Sequence, residues 1–261
     1  MDLGLEGKVA LVTGGSGGIG AAIATELARE GADLCLTGRD RKKLDDVAST
    51  LASAFGRRPA VHAGDLSKPE APPAAVAAAV AAFGRLDIVV NAAGDTKRGD
   101  FLALSEEDWQ SGFSVKFHGC VRMTRAAWPH LCRSQGVVLN IVGVGSRFGS
   151  AEFTVGGAVN VALLNFTKSM ADRGIREGVR VNAINPGLIE TDRLTRNIER
   201  VMRENSCSRE EAVTRLLAPR GTTRFGRPEE VGWLAAYLAS PKAAFIQGAI
   251  IDIDGGHTRA L

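Results

Sequence analysis

Seven short apolar runs, separated by longer stretches of helical periodicity, constrain this chain more than any other feature. The runs fall at residues 9–13, 34–37, 60–63, 88–91, 137–142, 179–184 and 250–253. Each is rich in leucine or β-branched residues and lacks the in-out polarity of a half-exposed sheet. Strands of that kind are covered by helices on both faces. Candidate helices at 19–29, 74–83, 109–131 and 159–173 lie between them. Strand, helix, strand repeated in this order predicts an α/β fold built on a doubly wound parallel sheet of seven strands.

Local chemistry marks some of the boundaries. Ser105 stands three residues before Asp108, and Ser208 three before Glu211, each a reciprocal capping pattern for the unpaired N–H groups that open a helix. The Ala-rich stretch 71–82 reads as a small-residue helix packed close to the sheet, with Pro72 and Pro73 near its first turn, where a missing N–H costs little. No repeat or low-complexity linker interrupts the 261 residues, and 45% of them are hydrophobic, enough for one full core. A single domain over 1–261 is expected.

Charge and cysteine usage exclude several classes. The net charge of +3 comes from Lys and Arg interspersed with Asp and Glu, which supports neither a nucleic-acid partner nor a membrane surface. Cys35, Cys120, Cys132 and Cys207 form no CxxC pair and sit beside no His cluster, so neither a metal site nor a disulfide framework is expected. No apolar run reaches the length of a membrane span, and the first residues carry no signal pattern, so the expected location is cytoplasmic.

Directly after the first apolar run comes Thr13-Gly14-Gly15-Ser16-Gly17-Gly18-Ile19-Gly20, opening the first helix. A pyrophosphate needs bare backbone N–H groups and the positive end of a helix dipole, and glycines let it approach. Gly14, Ser16, Gly18, Ile19 and Gly20 are therefore candidate dinucleotide contacts. The second strand ends at Gly38-Arg39, where an acidic residue would favour the ribose 2′-hydroxyl of NAD. A guanidinium clamps a 2′-phosphate instead, so NADP is expected, with NAD the alternative, and Asp40 beside Arg39 is positioned to blunt that charge. The same turn also satisfies G-x-S-x-G, the nucleophile elbow of hydrolases, with His257 as a nominal partner for Ser16.

Further segments resemble one family nearly end to end. Asp65-Leu66, Asn91-Ala92-Ala93-Gly94, Arg180 through Asn185-Pro186-Gly187, Gly226-Arg227-Pro228-Glu229-Glu230-Val231 and Asp254-Gly255-Gly256 follow the glycine turn in the order of the short-chain dehydrogenases/reductases. The resemblance implies a Rossmann-type domain, with Asp65 and Leu66 by the adenine and Asn91, Ala92, Ala93 and Gly94 under the adenine-side ribose and sheet edge. It also implies Pro186, Gly187, Ile189 and Thr191 by the nicotinamide, a substrate lid over 188–223, and a homo-oligomer, usually a tetramer.

The family works with Asn, Ser, Tyr and Lys, and this chain departs from all four. Anchored by Asn140-Ile141 and by the run Ala162 to Ala171, Gly143 falls at the serine position and Gly156 at the tyrosine position. Asn160 falls at the lysine position and Lys116 at the asparagine position. The single tyrosine, Tyr237, lies far downstream. Hydride transfer to a carbonyl builds negative charge on oxygen, and removing one aimed donor costs about a hundred- to a thousandfold. The ordinary mechanism is expected to be disabled.

Three readings follow. Lys116 with Asn160, near Ser146, Glu152 or His118, replaces the lost constellation, since a lysine in a partly apolar site becomes a usable acid. His118, offset along the helix, is expected on another face. Alternatively the protein binds the cofactor without turnover, as a sensor or silent oligomer partner, or it catalyses an elimination or isomerisation. The substrate is an unidentified small molecule. Arg193, Arg196, Glu199, Arg200, Arg203 and Glu204 in the lid read as a solvated amphipathic face, with an acidic substrate as the alternative.

Overall fold

The computed structural model describes residues 2–94 and 96–259. In the first half, strands β1 (Val9–Thr13), β2 (Asp33–Gly38), β3 (Ala60–Ala63) and β4 (Ile88–Asn91) alternate with helices α1 (Gly18–Arg29), α2 (Arg41–Phe55) and α3 (Ala71–Phe83). Next come α4 (Glu106–Gly112), a π-helical run Phe113–His118, α5 (Gly119–Ser134), β5 (Val137–Ile141), α6 (Thr154–Glu177) and β6 (Arg180–Pro186). Helices α7 (Asp192–Asn205), α8 (Arg209–Leu217) and α9 (Pro228–Ala239) precede β7 (Ile250–Ile253).

The seven described strands form one sheet in the order β3-β2-β1-β4-β5-β6-β7, with every neighbouring pair parallel. The predicted α/β doubly wound fold is therefore the observed one. Successive strand residues feed two cores. Ala10, Val12, Leu34, Leu36, Ile88 and Val90 pack with α1, α2 and α9 on one face. Val9, Leu11, Cys35, Val89, Val138 and Val181 pack with α3, α5 and α6 on the other. Burial on both faces is why these runs show no alternation in polarity. The chain reverses its winding between β1 and β4, and the crevice at the C-terminal ends of these strands is where such sheets bind ligands.

Several bounds differ from those read in the sequence. β6 runs on to Pro186 and begins at Arg180, while α6 starts at Thr154, so Gly156 lies in a helix rather than ahead of one. Pro72 and Pro73 fall inside the first turn of α3, as their missing N–H groups allow. The stretch 109–131 is not one regular α-helix: a π-helical run separates α4 from α5. Both capping boxes form, with Ser105 on Asp108 and Ser208 on Glu211. The segment 188–223 folds as α7 and α8 around its own small core of Leu194, Ile198, Val201, Ala212, Leu216 and Phe225.

Candidate active site

The glycine turn joins β1 to α1 at the switch point. No side chain caps the N-terminus of α1, its first turn holds no acidic residue, and a Cβ at Gly17 would project into open space. Gly14 lies so close to the next loop that a Cβ there would stand 3.1 Å from Ala93. Thr13 ties that loop down, its Oγ1 accepting the N–H groups of Ala92 at 2.9 Å and Ala93 at 3.0 Å. An exposed helix N-terminus beside closely approaching backbone fits a dinucleotide pyrophosphate.

Ser16 Oγ lies beside Gly38, 3.4 Å from where a Cβ would stand. Asp40, beside Arg39, caps α2, its Oδ1 accepting the Lys43 N–H at 3.1 Å. Asp65 accepts the Ser67 N–H at 3.0 Å, and that bond, with smaller help from Arg39 and Lys68, holds its carboxyl below the usual range. Leu66 beside it is buried. The Asn91 side chain turns into the core, donating to Asn140 Oδ1 at 2.9 Å and Thr124 Oγ1 at 3.3 Å, which braces the end of β4.

At the other end, Lys116 sits within the π-helical run, a distortion often found at functional sites. Its Nζ donates to Val142 O at 2.6 Å and to Asn160 Oδ1 at 2.7 Å, so the two residues singled out in the sequence meet. Asn160 Nδ2 donates in turn to Gly143 O at 3.3 Å, and Asn185 Oδ1 accepts the Gly143 N–H at 3.2 Å. The stem of Lys116 passes over Gly94, where a Cβ would stand 2.7 Å from Lys116 Cγ.

Gly156 leaves no hole. The ring of Phe153 fills the space, and a Cβ at residue 156 would stand 2.0 Å from its Cζ. The guanidinium of Arg98 lies 4.0 Å from the centroid of the same ring. Phe153 and Arg98 were not picked out in the sequence, because neither belongs to a motif and the approach of the Phe153 ring to Gly156 exists only in three dimensions. The polar chain Asn91, Asn140, Thr167 behind the site was also missed, its members being scattered over three elements.

A cleft of about 460 Å³ opens over these groups. Ile19, Ala92, Gly94, Pro186, Gly187, Ile189 and Thr191, expected by the cofactor, line it together with Lys116, Gly143 and Asn160. Arg98, Arg193, Arg196, Arg200 and Arg220 line it as well, with Arg193 and Arg196 exposed, as expected of the solvated face of α7. Ser146 is a turn-former, its Oγ donating to Gly143 O at 3.0 Å. Glu152 and His118 are exposed, and the His118 ring packs edge-on to Phe117. His257 lines the cleft against Phe148, while Ser16 lies by Gly38, so the hydrolase pairing is not assembled. Burial pushes the Cys35 and Cys120 thiols up to about 12, which leaves neither a nucleophile at neutral pH.

A doubly wound sheet with a glycine turn at its switch point and a cleft along its C-terminal edge defines a dinucleotide-binding protein of the Rossmann type. Residues 14–258 match the family profile described as enoyl-(acyl carrier protein) reductase. An uncharacterized oxidoreductase of Mycobacterium tuberculosis is 36% identical over 256 residues, 97% of this chain and 93% of that protein. The 3-oxoacyl-(acyl-carrier-protein) reductase FabG of Vibrio cholerae is 34% identical over 253 residues, 97% of this chain and 98% of that one. L-Sorbose reductase from Gluconobacter frateurii, solved with NADPH and L-sorbose, superposes with a TM-score of 0.95 at 30% identity over 100% of both chains. The chain belongs to the short-chain dehydrogenase/reductase family of oxidoreductases.

Proposed function

We propose that this protein binds NADP(H) and that its reaction centre relies on Lys116 where the family uses tyrosine and serine. The observation that carries this reading is the seat of Lys116, a cationic group in the cleft wall held between Val142 O and Asn160 Oδ1. Backbone groups of the turn 13–20 would hold the pyrophosphate, and Ser16 and Arg39 a 2′-phosphate. The NADPH held by the similar L-sorbose reductase supports that choice. When bound, the nicotinamide supplies or accepts a hydride. Lys116 stabilises the charge that develops on a substrate oxygen and holds the proton at Nζ, while Asn160 positions it.

Ordinary ketone reduction is not supported by these groups. Gly143 and Gly156 offer no hydroxyl, and Phe153 occupies the space where a tyrosine would begin. That plug also favours a second reading, a cofactor binder without turnover. Trp233 and Tyr237, one turn apart on α9, and Phe245 are exposed apolar surface that a homo-oligomer would cover.

The test is a fluorescence titration with NADPH alongside NADPH oxidation with a panel of neutral ketones, aldehydes and anionic carbonyl compounds, for the wild type and Lys116→Met. Both proteins should bind NADPH, and neutral ketones should give negligible turnover. Any oxidation found should fall by about a hundred- to a thousandfold in Lys116→Met. Fast reduction of neutral ketones unaffected by that change would sink the assignment of Lys116. Binding without oxidation by any compound would leave the silent reading.

A further inference from the structure

Where the ladder between β5 and β6 runs out, side chains take over its hydrogen bonds. Ile141 is the last paired residue of β5, and beyond it the Val142 N–H still donates to Ile184 O at 2.9 Å. Continued in parallel register, the ladder would bring the N–H of residue 186 to Val142 O, and Pro186 has none. Lys116 Nζ donates there instead, at 2.6 Å. The other end of the same peptide is the Gly143 N–H, which Asn185 Oδ1 accepts at 3.2 Å. One peptide unit thus carries Lys116 on its oxygen and Asn185 on its N–H.

The partners of Asn185 fix which way round its amide sits. The side chain is fully buried, the Gly143 N–H needs its oxygen, and its Nδ2 donates to Asp252 Oδ1 on β7 at 2.9 Å and to Ser146 Oγ at 3.2 Å. Asp252 is held in turn by the Arg147 guanidinium at 3.2 Å. Ser146 Oγ donates onward to Gly143 O at 3.0 Å, the oxygen that also accepts Asn160 Nδ2 at 3.3 Å. Gly143 is where such a hold matters. At a φ of +128° a glycine leaves the 142–143 peptide free to turn over, and a turned peptide would aim its N–H at Lys116 Nζ in place of its oxygen. An acceptor on the N–H also polarises the carbonyl at the far side of the same plane, strengthening its bond to Nζ.

We propose that Asn185 is a positioning residue of the reaction centre: it locks the 142–143 peptide with its oxygen toward Lys116, and Asp252 at the sheet edge sets the direction of that lock. This rests on the reading of Lys116 above. It extends the centre into a chain that runs from Asp252 through Asn185, Gly143 and Asn160 to Lys116. Asn182, three residues earlier on β6, supplies the internal comparison. It is as deeply buried and makes the same kind of pair, accepting the Ala249 N–H at 2.8 Å and donating to Ile246 O at 3.0 Å, but neither partner lines the cleft.

The test follows Lys116 directly. The full chain is methylated with formaldehyde and a borohydride as wild type, Asn185→Leu, Asn185→Ser, Asn182→Leu and Asn182→Ser, and the rate at Lys116 is read by peptide mass spectrometry. Tm and NADPH fluorescence quenching are recorded for each. Lys116 should react about tenfold or more faster in Asn185→Leu than in the wild type, and at least about threefold faster in the milder Asn185→Ser, which carries the comparison if the leucine variant does not fold. The Asn182 variants, at a comparable loss of Tm, should stay within about twofold. An unchanged rate in the folded Asn185 variants overturns the proposal, and so does equal acceleration by the Asn182 variants, which marks general loosening. A wild type that fails to quench NADPH would instead overturn the cofactor reading, while the Lys116 rates still decide this one.

Discussion

Gly143 and Gly156 differ in why a hydroxyl cannot simply be put back. Gly143 adopts a φ of +128°, a conformation that side chains rarely take, so a serine there is strained even though its nearest neighbour, Asn160 Nδ2, stands 3.4 Å away. Gly156 has helical backbone and would accept any side chain but for the Phe153 ring. Gly156→Tyr alone should therefore overpack the site, lowering stability by about 1–3 kcal/mol without creating ketone reduction. Adding Phe153→Ala should recover much of that loss, measured as Tm, and should also loosen Arg98. The absence of both hydroxyls is legible in the sequence once the flanking motifs set the frame. What stands in their place is not, because a phenylalanine three residues before a glycine carries no motif.

Among the elements, α9 shows how much local sequence can say. Pro228 stands at its start and Glu230 in its first turn, and Arg224 reaches Glu230 from the preceding loop. Glu230 accepts the Arg224 guanidinium at 2.7 and 2.8 Å and the Arg227 N–H at 2.7 Å. The Arg224 bonds first, and the Arg227 N–H second, hold its carboxyl down to about 2 from an ordinary 4.5. A depressed carboxyl stabilises the fold above its unfolded value and loses that contribution as protons bind. Tm should therefore fall between pH 4.5 and about 2 partly through Glu230, and Glu230→Gln should lower Tm at neutral pH while flattening that acid limb. A limb of unchanged steepness in the variant would show that other carboxyls govern it. The π-helical run that sets Lys116 has no such local sign.

For the whole molecule, cofactor binding is a statement about stability. In the proposed reading a dinucleotide laid across the switch point would touch loops from β1, β2, β4 and β6, and any ligand that binds only the folded chain raises its stability by mass action. NADPH at about a hundred times its Kd should add about 2.7 kcal/mol, which is roughly 5–10 °C in Tm for a chain of this size. NADH at the same concentration should add less. Arg39→Ala should erase the difference, because the guanidinium is the group proposed to hold the 2′-phosphate. Equal shifts by both cofactors in the wild type would remove Arg39 from that role. Layer order, strand number and the position of the glycine turn follow from neighbours along the chain, through apolar runs and backbone freedom, and the sequence by itself determines them. Tertiary structure alone decides that Lys116 meets Asn160 across 44 positions, that the Phe153 ring lies against Gly156, and that arginines at 98, 193, 196, 200 and 220 share one cleft. The reason is physical: such contacts depend on how the lid and the helices pack over the sheet edge, and no local pattern encodes a distance between segments so far apart.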